Sequence, residues 1–284
     1  MNFRKFKAFL GINALRLSIF ISILFLFFFI LLIFSKGTKI ISWTFLTDVP
    51  RMGMTKGGIF PAIVGTLYLT VGAVLFAFPL GVLAAIYLVE YANEGWFLST
   101  IRTAISTLAG VPSIIYGLFG LTIFVIIFKF GVSILSGSLT LGIMVLPIII
   151  KASEEAIKAV PDDFREASYA LGATKRETII KVVIPTALPN ILTGAIVSVG
   201  RAAGETAPIL FTAATFYTRK LPKSIFSEVM ALPYHIYALM TEGTQPEYQV
   251  PIAYGAALVL LGLVLTISAI AIIIRYRMRR MKKW

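Results

Sequence analysis

Cysteine is absent from this 284-residue chain, and histidine occurs once, at His235. Disulfides, thiolate nucleophiles and cysteine metal sites are therefore excluded. His235 stands among Pro233, Tyr234 and Tyr237 with no second ligand nearby, so no metal is expected there. The dipeptide Gly-Lys does not occur, so the glycine-rich loop ending in Gly-Lys that cradles nucleotide phosphates is missing; the chain has no ATPase site of its own and needs no cofactor. Charge is sparse as well. Charged residues make up 14% of the chain against 58% hydrophobic, with a mean hydropathy of +0.91, which leaves too little polar surface for a water-soluble fold.

What is present is a series of long uncharged runs: Leu17 to Ser35, Gly57 to Val89, Thr103 to Phe128, Phe130 to Ile150, a fifth from near Pro189 to near Thr218, and Gln249 to Ile274. Each is long enough to cross a bilayer as a helix. The fold class expected is an all-α membrane protein with six transmembrane helices, a single domain over residues 1–284. Lys129, between the third and fourth runs, must sit in a tight turn. The first run has an unusually long apolar core and no small-x-small cleavage site around Ser35-Lys36-Gly37, so it is expected to be a retained span rather than a signal peptide. Lys282, Lys283 and Trp284 are expected to anchor the last span at the interface, and the many phenylalanines before residue 35 to face lipid. The net charge of +13 sits in short tracts flanking the spans, a distribution that suits membrane topology and not nucleic acid. Taking 1–16, 91–103, 151–189 and 275–284 as inside places 17 of the 26 Lys and Arg residues there and eight outside, which puts both termini in the cytoplasm. The loop 218–251 is expected outside, either with a short helix against the membrane surface or as a docking face.

Residues 151–189 are the long polar interruption, holding six of the 26 basic and six of the 13 acidic residues. Pro161 ends one helical piece and Asp162 or Asp163 can cap the next. Phe164, Ala167, Ser168 and Leu171 recur at i, i+3, i+4 and i+7, on one helical face. Gly172 follows where a helix takes a left-handed stop. Thr174-Lys175-Arg176-Glu177 matches a capping box, so a second helix is expected to start there and to be unsettled at Pro185 and Pro189. Two short helices meeting at a corner between membrane spans form a module suited to docking.

The one charged interruption of a span is Gly200-Arg201-Ala202-Ala203-Gly204-Glu205-Thr206-Ala207-Pro208. Arginine at the centre of a membrane helix costs about 2.5 to 3.5 kcal/mol on insertion scales, so such a residue faces protein or a water-filled path. Arg201 and Glu205 are i and i+4, with Arg in the weaker N-terminal order. A guanidinium offset by a carboxylate would bind an anion and still release it, which makes Arg201 the candidate substrate contact and Glu205 its modulator. A structural ion pair between helices is the competing interpretation. Gly194, Gly200 and Gly204 with Ala195, Ala202 and Ala203 allow close helix approach.

Glu166-Ala167-Ser168, Gly172 and Val182-x-Ile184-Pro185 resemble, at matching spacing, the EAA loop of ATP-binding-cassette importer permeases, with Ser168, Val182 and Ile184 as substitutions. The resemblance implies the type I importer permease fold, with 151–189 as a cytoplasmic coupling-helix loop whose Phe164, Glu166, Ala167, Leu171 and Gly172 dock on a cytoplasmic ATP-binding subunit. Gly200 to Ala213 is similar to the signature of the phosphate-specific permeases of the PstA type. Phe45-Leu46-Thr47, Gly57 to Leu67 and Ala109 to Leu118 support the likeness, which covers roughly 45 to 215. It implies inorganic phosphate as cargo, a second homologous permease subunit, two ATPase copies, an extracytoplasmic phosphate-binding protein, and a prokaryotic cytoplasmic membrane. Sulfate or molybdate as cargo, or an autonomous secondary carrier, are the alternatives. A membrane enzyme is disfavoured because no span holds a nucleophile and a base.

Overall fold

A computed structural model describes residues 3–281, with side chains described for 11–278; the expected anchor Lys282, Lys283 and Trp284 lies outside the described residues. In hydrocarbon a backbone must satisfy its own hydrogen bonds, and the uncharged runs accordingly fold as long helices. Among the described residues five helices are long and apolar enough to span, and a bent helix pair makes six if it counts as one broken span.

Helix α1 (Phe3–Gly37) is followed by a short α2 (Trp43–Thr47) and a two-stranded hairpin of β1 (Pro50–Arg51) and β2 (Lys56–Gly57). The most apolar stretch of α1 is unburied on every side, as expected of a lipid-facing helix. It touches the bundle through its last turn, where Gly37 abuts Tyr254 and Leu258 of α12 (Pro246–Met281) and the Lys36 ammonium lies 4.7 Å from the Tyr254 ring centroid.

The centre of the bundle is built by α3 (Phe60–Ile86), α6 (Ile134–Lys158) and α9 (Ile184–Gly204), with α5 (Ser113–Gly120) and α10 (Ala207–Thr212) packed alongside. Small residues let these backbones close up. A Cβ on Gly81 would collide with Ile149, and one on Gly194 with the Ala152 methyl. Ala73, Ala77, Leu141, Met144, Val145, Ile149 and Ala202 share one buried core. Of the small residues expected to mediate close approach in the fifth span, Gly194, Ala202 and Ala203 do so, whereas nothing lies within 4 Å of a Cβ on Gly204.

The turn expected at Lys129 is present. Lys129 and Gly131 adopt φ of 57° and 68°, joining the wide helical turn Leu121–Ile127 that extends α5 to the N-cap Ser133 of α6. One expectation is corrected. The run from Thr103 to Phe128 is not one straight span: α4 (Trp96–Leu108) and the helix starting at Ser113 meet at 98°. Pro112 enforces the break because it cannot donate into the helical ladder, and the Leu108 carbonyl accepts instead from the Val111 N–H and, at 2.8 Å, from the Tyr116 hydroxyl. At Pro185 and Pro189 the helix after Gly172 is unsettled but not ended. A short α8 (Lys175–Thr178) runs through a wide turn at Ile179–Val183 into α9, with the Ile184 N–H bonded to the Ile179 carbonyl five residues back. That enlarged turn makes room for the Pro185 ring and its missing donor. Within 151–189, α6 persists to Lys158 and the next long helix begins at Lys175.

Hairpin, Lys129 turn and loop 218–251 gather at one end: the Tyr217 hydroxyl bonds the Pro50 carbonyl, Gln249 bonds Gly53, and Ile134 N–H bonds Ser227. The loop is not a surface appendage. Its helix α11 (Leu232–Thr241) buries Leu232, Ala238 and Leu239 against α3 and α12, and the Leu232 N–H donates to Thr66 Oγ1 at 2.8 Å. Apolar residues at 229, 230 and 232 serve packing, so the segment closes this end of the bundle.

His235 is buried in α11, and neither ring nitrogen has a hydrogen-bond partner among the described residues. Burial pushes its pKa down from 6.5 to about 4. Between those values the unfolded chain binds a proton that the folded chain does not, so stability is lost as pH falls from 6.5 toward 4, by on the order of 3 kcal/mol. Thermal melts of purified wild type at pH 7.5 and 4.5 are expected to separate more than those of His235→Phe; equal separations would place the acid sensitivity elsewhere.

Candidate functional site

The polar loop folds by local rules. Helix α7 (Asp162–Ala170) begins directly after Pro161, and neither aspartate caps it by side chain; Asp162 instead reaches Arg165 at 3.1 Å. At the other end Gly172 adopts φ +82°. Its N–H bonds the Tyr169 carbonyl and the Ala173 N–H bonds the Ser168 carbonyl, the paired bonds of a Schellman stop. Thr174 and Glu177 then form both halves of the capping box. Ser168 Oγ and Thr178 Oγ1, buried and 2.8 Å apart, pin α7 to α8 across this corner.

The face expected from spacing divides. Ser168 turns inward, whereas Phe164, Glu166, Ala167, Leu171 and Gly172 are exposed, with Leu171 at 89% just beyond the helix. A leucine left so open at a rigid corner is available to another surface.

Arg165 fastens this element to the membrane helices. Its Nη2 lies 3.0 Å from Glu90 Oε1, with the two side chains only 14% and 8% exposed, and the guanidinium also donates to the Val160 and Ile157 carbonyls. Glu90 belongs to the wide turn Tyr87–Tyr91 that ends α3. Nearby, Arg102 on α4 pairs with Glu154 of α6 at 2.7 Å and Lys158 adds a second cation at 2.8 Å. Loop, α3, α4 and α6 are thus tied together at one end. These residues escape sequence reading because Glu90 and Arg102 look like ordinary charges at the ends of uncharged runs; their pairing partners are 75 and 52 residues away.

The fifth membrane helix carries the other candidates. It does not reach Thr218: α9 stops at Gly204, Glu205 turns to an extended conformation, and α10 restarts at Ala207. Arg201 and Glu205 do meet, Nε to Oε1, at 3.4 Å, with side chains 34% and 18% exposed. This is a long contact in the weaker sequence order, and it leaves the guanidinium partly open. Tyr116 lies within its electrostatic reach. Along α9 the accessible positions Asn190, Val197, Arg201 and Gly204 form one stripe while Ala187, Ile191, Ser198 and Ala202 are buried, so the cation looks out of the bundle along an uncovered face. A cavity of about 240 Å³ beside α5 is lined by Leu108, Val111, Phe119 and Phe124 among others and offers an anion nothing.

A loop with a rigid exposed corner, latched to membrane helices, and a partly open guanidinium on an accessible stripe can together transmit movement and accommodate an anion. A family model described as the binding-protein-dependent transport system inner membrane component matches residues 77–282. The chain belongs to this family. Similar relatives include the phosphate transport system permease protein PstA 1 of Mycobacterium tuberculosis (strain ATCC 25618 / H37Rv), 39% identical over 229 residues that cover 80% of this chain and 72% of the relative. The probable phosphate transport system permease protein PstA of Methanocaldococcus jannaschii is 38% identical over 260 residues, 91% of this chain and 89% of its own. In fold the chain is similar to a crystal structure of a bacterial ABC transporter involved in the import of the acidic polysaccharide alginate, with a TM-score of 0.65 at 16% identity and 99% of both chains covered. The family is one of multi-pass inner-membrane permease components, in which ATP hydrolysis belongs to a separate subunit.

Proposed function

We propose that this chain is the permease subunit of an ATP-driven importer for inorganic phosphate. It forms the path with a second homologous permease, receives cargo from an extracytoplasmic phosphate-binding protein, and is driven by a cytoplasmic ATP-binding subunit at the α7 corner. Both termini lie in the cytoplasm. The observation that carries the substrate class is the partly open Arg201 guanidinium on the unburied stripe of α9, together with relatives named as phosphate permeases.

The chemistry follows from the geometry. Phosphate needs a positive partner where water is scarce, and Arg offers planar, bidentate donors to its oxygens. Glu205 at 3.4 Å weakens that attraction so that binding does not become a trap. The half-open stripe needs a second wall, which a homologous permease provides. Movement begins at Phe164, Glu166, Ala167, Leu171 and Gly172, where the ATPase docks, and passes through Arg165 to Glu90 and α3. The inward and outward openings alternate as the two permeases rock.

The test is uptake of labelled phosphate into proteoliposomes holding the assembled complex. ATP-dependent uptake that excess unlabelled phosphate competes away, and that sulfate or molybdate does not, is expected. Equal competition by sulfate would overturn phosphate as the cargo, and uptake without ATP would overturn the importer.

A further inference from the structure

The cytoplasmic half of the α9 stripe opens into a groove of about 470 Å³ between α6, α9 and α12, and a second guanidinium stands in it. Arg275, from the end of α12, donates Nη1 to Thr193 Oγ1 at 2.8 Å. Among the described residues no carboxylate lies within ion-pair distance of it, in contrast to Arg102, Arg165 and Arg201. Asn190 on α9 and Glu155 on α6 line the same groove. Asn190, Gly194, Val197 and Arg201 fall at i, i+4, i+7 and i+11, so this groove continues the face on which Arg201 sits. Thr193, and with it Arg275, lies about 12 Å below Arg201 at a helical rise of 1.5 Å per residue.

We propose that Arg275, with Thr193 and Asn190, forms an exit-side station for the phosphate oxyanion on its way from Arg201 to the cytosol. The proposal rests on the importer reading above. Arg275 has donors to spare, Asn190 and Thr193 supply neutral ones, and Glu155 across the groove tempers the field as Glu205 does for Arg201. Two moderate sites in series give a charged cargo somewhere to go when it leaves the first, which speeds release without deepening either well. The chemistry recognised is a tetrahedral phosphate oxyanion, and an anionic lipid headgroup presents the same group at this end of the bundle.

The experiment uses the full complex in vesicles of phosphatidylcholine alone and in vesicles with added phosphatidylglycerol. In neutral lipid Arg275→Gln is expected to cut the maximal uptake rate about tenfold at an unchanged half-saturating concentration of binding protein, whereas Arg275→Lys keeps at least about half. The exposed Asn190→Asp, which sets a carboxylate in the groove without touching Arg275, is expected to slow uptake similarly and guards against a folding failure of the arginine variant. Wild-type uptake by Arg275→Gln or by Asn190→Asp would overturn the station, as would a lysine variant no better than glutamine. A defect confined to vesicles with phosphatidylglycerol would assign the groove to lipid and overturn it too. A wild-type complex that moves no phosphate in either lipid sinks the importer reading along with the station; phosphate movement by wild type with Arg275→Gln keeping pace sinks the station alone.

Discussion

Arg201→Gln is expected to abolish ATP-driven phosphate uptake, by about a hundredfold or more, while the complex still assembles. The contact that the variant breaks is long, 3.4 Å, and made in the weaker sequence order, so it is a poor fastener of the fold. Its flanks, Ala202 and Ala203, remain packed in the core whatever stands at 201. What glutamine removes is a fixed positive charge and the donor fork, so the loss falls on transport and not on folding. The checks are uptake by the reconstituted variant and its elution with the partner subunits in size exclusion. Loss of assembly would favour a structural ion pair, and uptake at wild-type speed would remove Arg201 from the path.

Arg165→Met is expected to uncouple the motor from the membrane helices. Breaking a buried ion pair by removing one partner costs on the order of 3 to 5 kcal/mol, because the remaining charge stays buried and unpaired. Here the stranded group is Glu90, only 8% exposed. The variant also withdraws donors from the Ile157 and Val160 carbonyls, so the start of α7 loses its attachment to the end of α6. The expected readout is ATP hydrolysis that no longer responds to loaded binding protein, with uptake lowered about tenfold or more. Adding Glu90→Gln to Arg165→Met is expected to restore thermal stability without restoring coupling, since it neutralises the stranded charge but does not rebuild the link. If Arg165→Met couples as wild type does, force does not pass through this pair.

Much of the local architecture was legible because it depends on a few neighbours in the chain. The capping box at Thr174 and Glu177, the left-handed stop at Gly172 and the turn at Lys129 all require only particular residues at fixed offsets, and all are present. Misreadings arose where short-range rules met a packed surrounding. One proline is absorbed and another is not: a widened turn takes up Pro185 and the helix runs on, whereas at Pro112 the chain bends by 98°, a break that the uncharged run around it did not announce. Loop 218–251 read as surface because it is not a continuous apolar run, but its apolar residues fill the space between α3 and α12.

By itself the sequence determined that the chain lives in a bilayer, where its polar elbow lies, and that one guanidinium interrupts a span, because hydropathy, caps and an intramembrane charge are properties of contiguous residues. Only the tertiary structure decided which charges meet. Arg165 finds Glu90, Arg102 finds Glu154, and Arg275 comes to stand below Arg201, each through helices brought side by side from distant parts of the chain. Helical periodicity assigns a residue to a face, and it is the packing of small residues such as Gly81 and Gly194 against neighbouring helices that settles what each face confronts.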